Sequence, residues 1–329
     1  MRARRRIAFL AAVIGLLACG GVATAVALST VAAAGCGPAL AGPPPAGTSS
    51  HSLVSGGITR CYRLHVPRSL DPQEPTALVL SLHGLASNAR GQEYLSRWDA
   101  IADRERFVVV YPQGTGGPLR WNSSDDFQTS SVDDVQFVRD LIAELSKVVQ
   151  VDPARVYASG MSNGGAMTHR LACEMSEVFA AAGIVAGPPT TPPGGCSPGR
   201  PVPIIAFYGT ADPLVAYQGS ALATGEPPWW AWWMPVRATS PFPPVEDWIA
   251  AWAARDDCES TPEVLPAQGT VSGIRYGGCA GGAEVILYTV AGGGHAWPGG
   301  GSTFVGRTTG DLSASEAMWA FFTAHPLSP

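Results

Sequence analysis

The chain is short of charge. Only 14% of its 329 residues are Asp, Glu, Lys or Arg, and the 26 acidic residues outnumber the 21 basic ones, leaving a net charge of −5. Its pI is near 5.7. A nucleic-acid backbone demands clustered lysine and arginine, and the one basic cluster here is Arg2, Arg4, Arg5 and Arg6 at the extreme N-terminus, which argues against nucleic acid as a partner. No C-x-x-C and no H-E-x-x-H pattern occurs, so the common zinc spacings are missing and no metal or other cofactor is expected. No internal repeat is apparent, which sets repeat architectures aside.

What is present at the N-terminus explains those arginines. The basic start runs into Ile7 to Ala34, a stretch with no charge at all, ending in Ala32-Ala33-Ala34 before Gly35. Small residues at that point suit a signal peptidase. The stretch is also long enough to span a bilayer, and Leu16-Leu17-Ala18 before Cys19 offers a lipid attachment point. A cleaved leader, a retained anchor and a lipoprotein all put the protein outside the cytoplasm, so an extracellular or cell-surface location is expected, with membrane contact only through residues 1–34. Residues 35–54, rich in Pro, Gly and Ser, are expected to form a linker, and 55–329 one catalytic domain.

The domain alternates buried-strand runs with helix-like stretches. Strands are expected near 60–66, 77–82, 107–111, 154–159, 203–208 and 285–290, and helices near 91–105, 133–149, 163–175, 246–255 and 313–324. That alternation implies an α/β fold with a mostly parallel sheet covered on both faces, with its site at the carboxyl ends of the strands.

The motif that carries chemistry lies at one such strand end. Arg155-Val156-Tyr157-Ala158-Ser159 leads into Gly160-Met161-Ser162-Asn163-Gly164 and then a helix-like segment, the strand–turn–helix context of a nucleophile elbow. The glycines remove side chains that would clash in so tight a turn and let Ser162 take a strained backbone position. A serine hydroxyl needs a base, and the base needs an orienting acid. Asp212 follows the apolar run Pro203 to Tyr208 on a Gly- and Pro-punctuated turn, and His295 follows the strand Glu284 to Val290 and a glycine run. The chain order Ser, Asp, His is that of α/β-hydrolases. An oxyanion formed at the attacked carbonyl needs N–H donors. These are expected from Asn163, next after the nucleophile, and from Leu85, on the loop after the strand Ala77–Leu82 that ends in His83-Gly84. His83 itself is expected to orient that loop.

Leu82-His83-Gly84, Gly160 to Gly165, Gly209-Thr210-Ala211-Asp212-Pro213 and Gly293-Gly294-His295-Ala296-Trp297-Pro298-Gly299 together resemble the polyhydroxybutyrate depolymerase-like and feruloyl esterase-like enzymes of carbohydrate esterase family 1. Val132-Asp133-Asp134-Val135 and Val151 to Tyr157 fit as well. The resemblance, over roughly 55–329, implies an α/β-hydrolase fold, the triad Ser162, Asp212 and His295, and a secreted serine esterase. Its substrates would be feruloyl or acetyl polysaccharide esters or hydroxyalkanoate esters. An acyltransferase built on the same triad and a non-catalytic surface-binding protein are the alternatives.

With Cys19 in the leader, six cysteines remain, and in an exported chain an even set reads as disulfides. Fifteen pairings are possible. Nearest neighbours are expected: Cys36 with Cys61, Cys173 with Cys196, Cys258 with Cys279. The resemblance supports the last two. The chain departs from the family between 219 and 247, where Trp229, Trp230, Trp232 and Trp233 sit among prolines. They are expected as a packed flap, an aromatic substrate platform, or a membrane- or polymer-surface contact. Trp297 is a further expected substrate contact, and Trp121 and Asn122 are candidates for the cleft wall.

Overall fold

The computed structural model describes residues 36–125, 127, 131–219, 242–302 and 306–327. The leader, Cys19 and all four tryptophans of the 219–247 insert lie outside these residues. The ends of the insert are adjacent, since the Val245 N–H donates to the Tyr217 carbonyl at 3.0 Å.

Ten strands are found among the described residues: β1 (Gly47–Ser55), β2 (Ile58–Val66), β3 (Thr76–Leu82), β4 (Val108–Pro112), β5 (Val151–Met161), β6 (Ala181–Val185), β7 (Ile204–Gly209), β8 (Glu263–Gln268), β9 (Val271–Tyr276) and β10 (Val285–Val290). They form one sheet in the order β1-β2-β4-β3-β5-β6-β7-β10-β9-β8. The six strands from β4 to β10 in that order are parallel, and antiparallel pairs flank them on both sides. Parallel neighbours require crossovers, and residues 186–203 join β6 to β7 without a helix, but six helices flank the sheet among the described residues. These are α1 (Ala89–Ser96), α2 (Trp98–Glu105), α3 (Asp134–Leu145), α4 (Asn163–Glu174), α5 (Val245–Arg255) and α6 (Ala314–Ala324).

Side chains of a strand alternate between the two faces, and the core follows that rule. Ala77 and Val79 of β3 pack with Trp98 of α2 and Met318 and Phe322 of α6. Leu78, Leu80 and Leu82 of the same strand pack with Phe137 and Leu141 of α3 and with Met167 and Leu171 of α4. Toward the other end, Ile204, Ala206 and Leu287 meet Ile249 and Trp252 of α5. Each of these large apolar side chains, removed from water, contributes about 1.5–3 kcal/mol. The layered core holds the central strands rigid and therefore fixes where their carboxyl ends lie.

Four departures from the sequence expectation have physical causes. The helix expected over 91–105 is two helices, broken at Arg97, whose left-handed φ of 55° ends one and begins the next. The expected linker 35–54 is not free along its length. Gly47–Ser55 is the edge strand β1, and Cys36 is disulfide-bonded to Cys61. β1 is polar, so it shows no apolar signal. Besides its backbone pairing it is held by side chains, the Thr48 hydroxyl donating to Asp99 at 2.9 Å and the Ser55 hydroxyl to Asp140 at 2.6 Å. β6 is built from Ala181-Ala182-Gly183-Ile184-Val185, whose first three residues have low strand propensity; Met318 of α6 fills the space where a side chain at Gly183 would stand. β8 and β9 are an edge hairpin interrupted by Pro266 and Gly273, which hide strand periodicity. The other two disulfides join Cys173 to Cys196 and Cys258 to Cys279.

Candidate active site

β5 ends at Met161 and α4 begins at Asn163, so Ser162 makes the whole turn. Its φ of 56° and ψ of −125° are strained for a residue with a side chain. Two bonds hold it there. Its N–H donates to Val185 O and its carbonyl accepts from Ala166 N, both at 2.9 Å. The glycines around it are sterically required. A Cβ on Gly165 would stand 2.9 Å from Gly187 Cα, and one on Gly160 would stand 2.7 Å from the Thr168 hydroxyl. At Gly164 a Cβ would collide with the carbonyls of Leu82 and His83.

Asp212 and His295 come together from strands that are neighbours in the sheet. β7 and β10 run parallel, with Gly209 opposite Val290, so the loops that follow them leave from the same edge. His295 Nδ1 donates to Asp212 Oδ2 at 2.8 Å. The second carboxylate oxygen is fixed by the Leu214 and Val215 N–H groups, at 2.8 and 2.9 Å. Both residues are buried. The pair thus sets the imidazole orientation and leaves Nε2 as the nitrogen not facing the carboxylate. The glycine run before His295 permits close backbone approach, since a Cβ on Gly294 would meet Gly306 Cα at 2.5 Å.

The loop after β3 lies against the serine. A Cβ on Gly84 would stand 3.3 Å from the Ser162 Cβ and 3.8 Å from its hydroxyl oxygen. His83 braces that loop. Its Nδ1–H donates to Gly84 O at 2.8 Å, and its Nε2 accepts from Gly114 N at 3.0 Å. Burial pulls its pKa down to about 4, so the ring stays neutral as this bonding requires. Trp121 Nε1 donates to the His83 carbonyl at 2.9 Å. Leu85, next along, is half-buried in the turn. Asn163 opens α4, where the first N–H groups of a helix have no internal acceptor. Among the described residues, neither the Leu85 nor the Asn163 N–H has a hydrogen-bond acceptor.

Several expected contacts prove to be supports. Trp297 is fully buried, and its Nε1 donates to Ser315, whose hydroxyl donates in turn to Ser96 O. It packs in the core and braces the His295 loop, so it does not line a cleft. The reason is the turn after His295, which folds the indole down onto α6. Trp121 and Asn122 are buried too. Trp121 stacks near Phe137, and the Asn122 N–H donates to Asp134 Oδ2 at 2.8 Å. Sequence reasoning missed the group behind them. Arg60 and Asp134 form a buried ion pair at 2.7 Å, and the Asn163 side-chain amide bonds the Trp121 backbone. Asp134 stands in the Val132–Val135 motif, but nothing in that motif points to Arg60, 74 positions away.

The esterase PHB depolymerase family profile matches residues 61–189. The chain is 32% identical to a putative esterase, NocK, of Nocardia uniformis subsp. tsuyamanensis, over 94% of this chain and 98% of that protein. It is 30% identical to feruloyl esterase B of Piromyces equi over 70% of this chain, a match that spans 41% of that protein. A poly(3-hydroxybutyrate) depolymerase of Ralstonia pickettii is 30% identical over 43% of this chain and 31% of its own length. Among solved structures, an acetyl xylan esterase from Aspergillus awamori superposes with a TM-score of 0.57 at 14% identity, covering 83% of this chain and 98% of that one, a likeness of fold. The chain therefore belongs to the esterase PHB depolymerase family and has the α/β-hydrolase fold of its esterases.

Proposed function

We propose that the protein is a serine carboxylic-ester hydrolase working through an acyl-enzyme, with Ser162, Asp212 and His295 as its triad. The carrying observation is the strained Ser162 at the end of β5, together with the His295–Asp212 bond at the ends of the neighbouring strands. His295 Nε2 takes the Ser162 proton as its oxygen attacks the ester carbonyl. The N–H groups of Leu85 and Asn163 receive the oxyanion. Asp212 holds the tautomer and stabilises the imidazolium. The alcohol leaves with the proton from His295, and water then attacks the acyl-enzyme with His295 again as base. No step calls for a metal or an organic cofactor.

For substrate class we infer feruloyl or acetyl esters of polysaccharides or hydroxyalkanoate esters, the substrates that the names of its relatives carry. Three disulfides suit an exported protein with one catalytic domain, which includes β1. Ser162→Ala should lower kcat by at least about 10³-fold and abolish fluorophosphonate labelling. Activity within tenfold of wild type would end the assignment. Hydrolysis rates on methyl ferulate, acetylated xylan and hydroxybutyrate oligomers choose among the acyl groups.

A further inference from the structure

His169 is a buried histidine that the proposed chemistry does not use. It lies on α4, two turns after Ser162, and is 3% exposed. Neither ring nitrogen completes a hydrogen bond of good geometry among the described residues, and the Thr190 backbone is the polar group beside the ring. A buried polar atom without a well-formed hydrogen bond is destabilising, so a ring with two such atoms requires an explanation. Trp248 and Trp252 meet the ring edge-on, with centroids 5.2 and 5.4 Å away, and supply no acceptor.

Beside this ring stands the Cys173–Cys196 disulfide. A ring nitrogen and the two sulfurs lie within 4.8 Å of one another. His169 and Cys173 are four residues apart on one helix, so they share a face, which is the spacing by which helices present paired metal ligands. A surface cavity of about 620 Å³ has Cys173 in its wall, together with Glu174, Glu177, Gly195, Ser197 and Arg200.

We propose that the dithiol form of this protein binds one zinc-like divalent cation through His169, Cys173 and Cys196, so that a metal clip can replace the disulfide clip between α4 and the loop at 196. A dithiol entering the cavity attacks one sulfur, the Cys173–Cys196 bond breaks through a mixed disulfide, and the donor leaves as its own disulfide. Two electrons and two protons pass to the cysteine pair. The cation then displaces both thiol protons and takes the imidazole lone pair. Zinc–sulfur bonds of about 2.3 Å and zinc–nitrogen bonds of about 2.0–2.1 Å require the two sulfurs, once their bond is broken, to move apart around the cation. Three protein ligands leave a fourth position for water. The oxidised protein has no such site, because its sulfurs are bonded to each other.

The test uses the full chain, reduced with a phosphine that is then removed, and Co²⁺ or Zn²⁺ alone as the probe. Reduced wild type should take one equivalent of Co²⁺ with a thiolate-to-cobalt charge-transfer band. Zn²⁺ should displace the cobalt, protect Cys173 and Cys196 but not the other cysteines from alkylation, and raise Tm. His169→Phe keeps the aromatic packing and should weaken binding at least tenfold. His169→Gln serves if the Phe variant does not fold. Binding by the oxidised form, protection of other cysteines instead, equal affinity in both variants, or no binding by the reduced chain would each overturn the proposal.

Discussion

The side-chain amide of Asn163 clasps the backbone of Trp121 at two points. Its Oδ1 accepts from the Trp121 N–H at 2.7 Å, and its Nδ2 donates to the Trp121 carbonyl at 3.0 Å and to the Ser123 hydroxyl at 3.1 Å. The residue proposed to offer its backbone N–H to the oxyanion is thus anchored by its own side chain to a different loop. Asn163→Ala should reduce kcat by about 10–100-fold with little change in KM, because a donor displaced slightly loses most of its value in the transition state. Asn163→Asp cannot donate to the Trp121 carbonyl and should be no better. Steady-state kinetics on a p-nitrophenyl ester give the split; a change confined to KM would contradict this role.

The Trp121 loop depends in turn on the Arg60–Asp134 pair. Asp134 Oδ1 receives Arg60 at 2.7 Å, its Oδ2 receives the Asn122 N–H, and the guanidinium lies 3.8 Å over the Phe137 ring. Both side chains are essentially inaccessible to water. Asp134→Ala should cost about 3–5 kcal/mol in urea unfolding, because it strands a buried cation. Arg60→Met combined with Asp134→Leu should cost less than Asp134→Ala. A sum of two independent losses would refute the coupling.

Gly183 tests the packing under β6. A Cβ there would come within 2.6–2.9 Å of Met318 atoms. Gly183→Ala should destabilise by about 1–3 kcal/mol through overpacking. Met318→Ala in the same chain should recover part of that loss, since the removed side chain is the one in the way. Thermal unfolding of the four proteins closes the cycle, and no recovery would show that the strain lies elsewhere.

Asp256, just past α5, is buried, and burial pushes its pKa up to about 7 from an ordinary 3.8. Its Oδ2 accepts from Val202 N at 3.2 Å, while its Oδ1 has no partner. Arg255 and Arg200 offset the penalty in part, and Asp257 adds to it. The folded state therefore holds this proton more tightly than the unfolded chain. The stabilisation is full below pH about 4 and is lost as pH rises through about 7. Asp256→Asn keeps the acceptor for Val202 and cannot ionise. Relative to the variant, wild type should lose stability between about pH 4 and about pH 7 and level off above that, measured by Tm at each pH. Parallel curves would reject it.

Much of this molecule is legible in its sequence where a local pattern coincides with a local physical need. Leu78, Val79, Leu80 and Leu82 and the run Ile204 to Tyr208 are apolar because both faces of a central strand are covered, and Gly160 and Gly164 flank Ser162 because no side chain fits there. What stayed hidden is what depends on partners far along the chain. Thr48 and Ser55 hold a polar edge strand through Asp99 and Asp140, and nothing near them announces it. Trp297 looks like a wall of the site from its place beside His295, yet its indole is committed to Ser315. The expected platform at Trp229, Trp230, Trp232 and Trp233 falls outside the described residues.

The sequence by itself determined the parallel α/β arrangement, the elbow and the order of its candidate partners, because hydrophobic period, glycine placement and chain order are properties of short segments. Only the tertiary structure decided that Asn163 grips Trp121, that Arg60 and Asp134 share a dry pocket, and that His169 lies against a disulfide. Those relations are set by which strands become neighbours and which helix faces meet, and long-range burial fixes that choice beyond the reach of any local pattern.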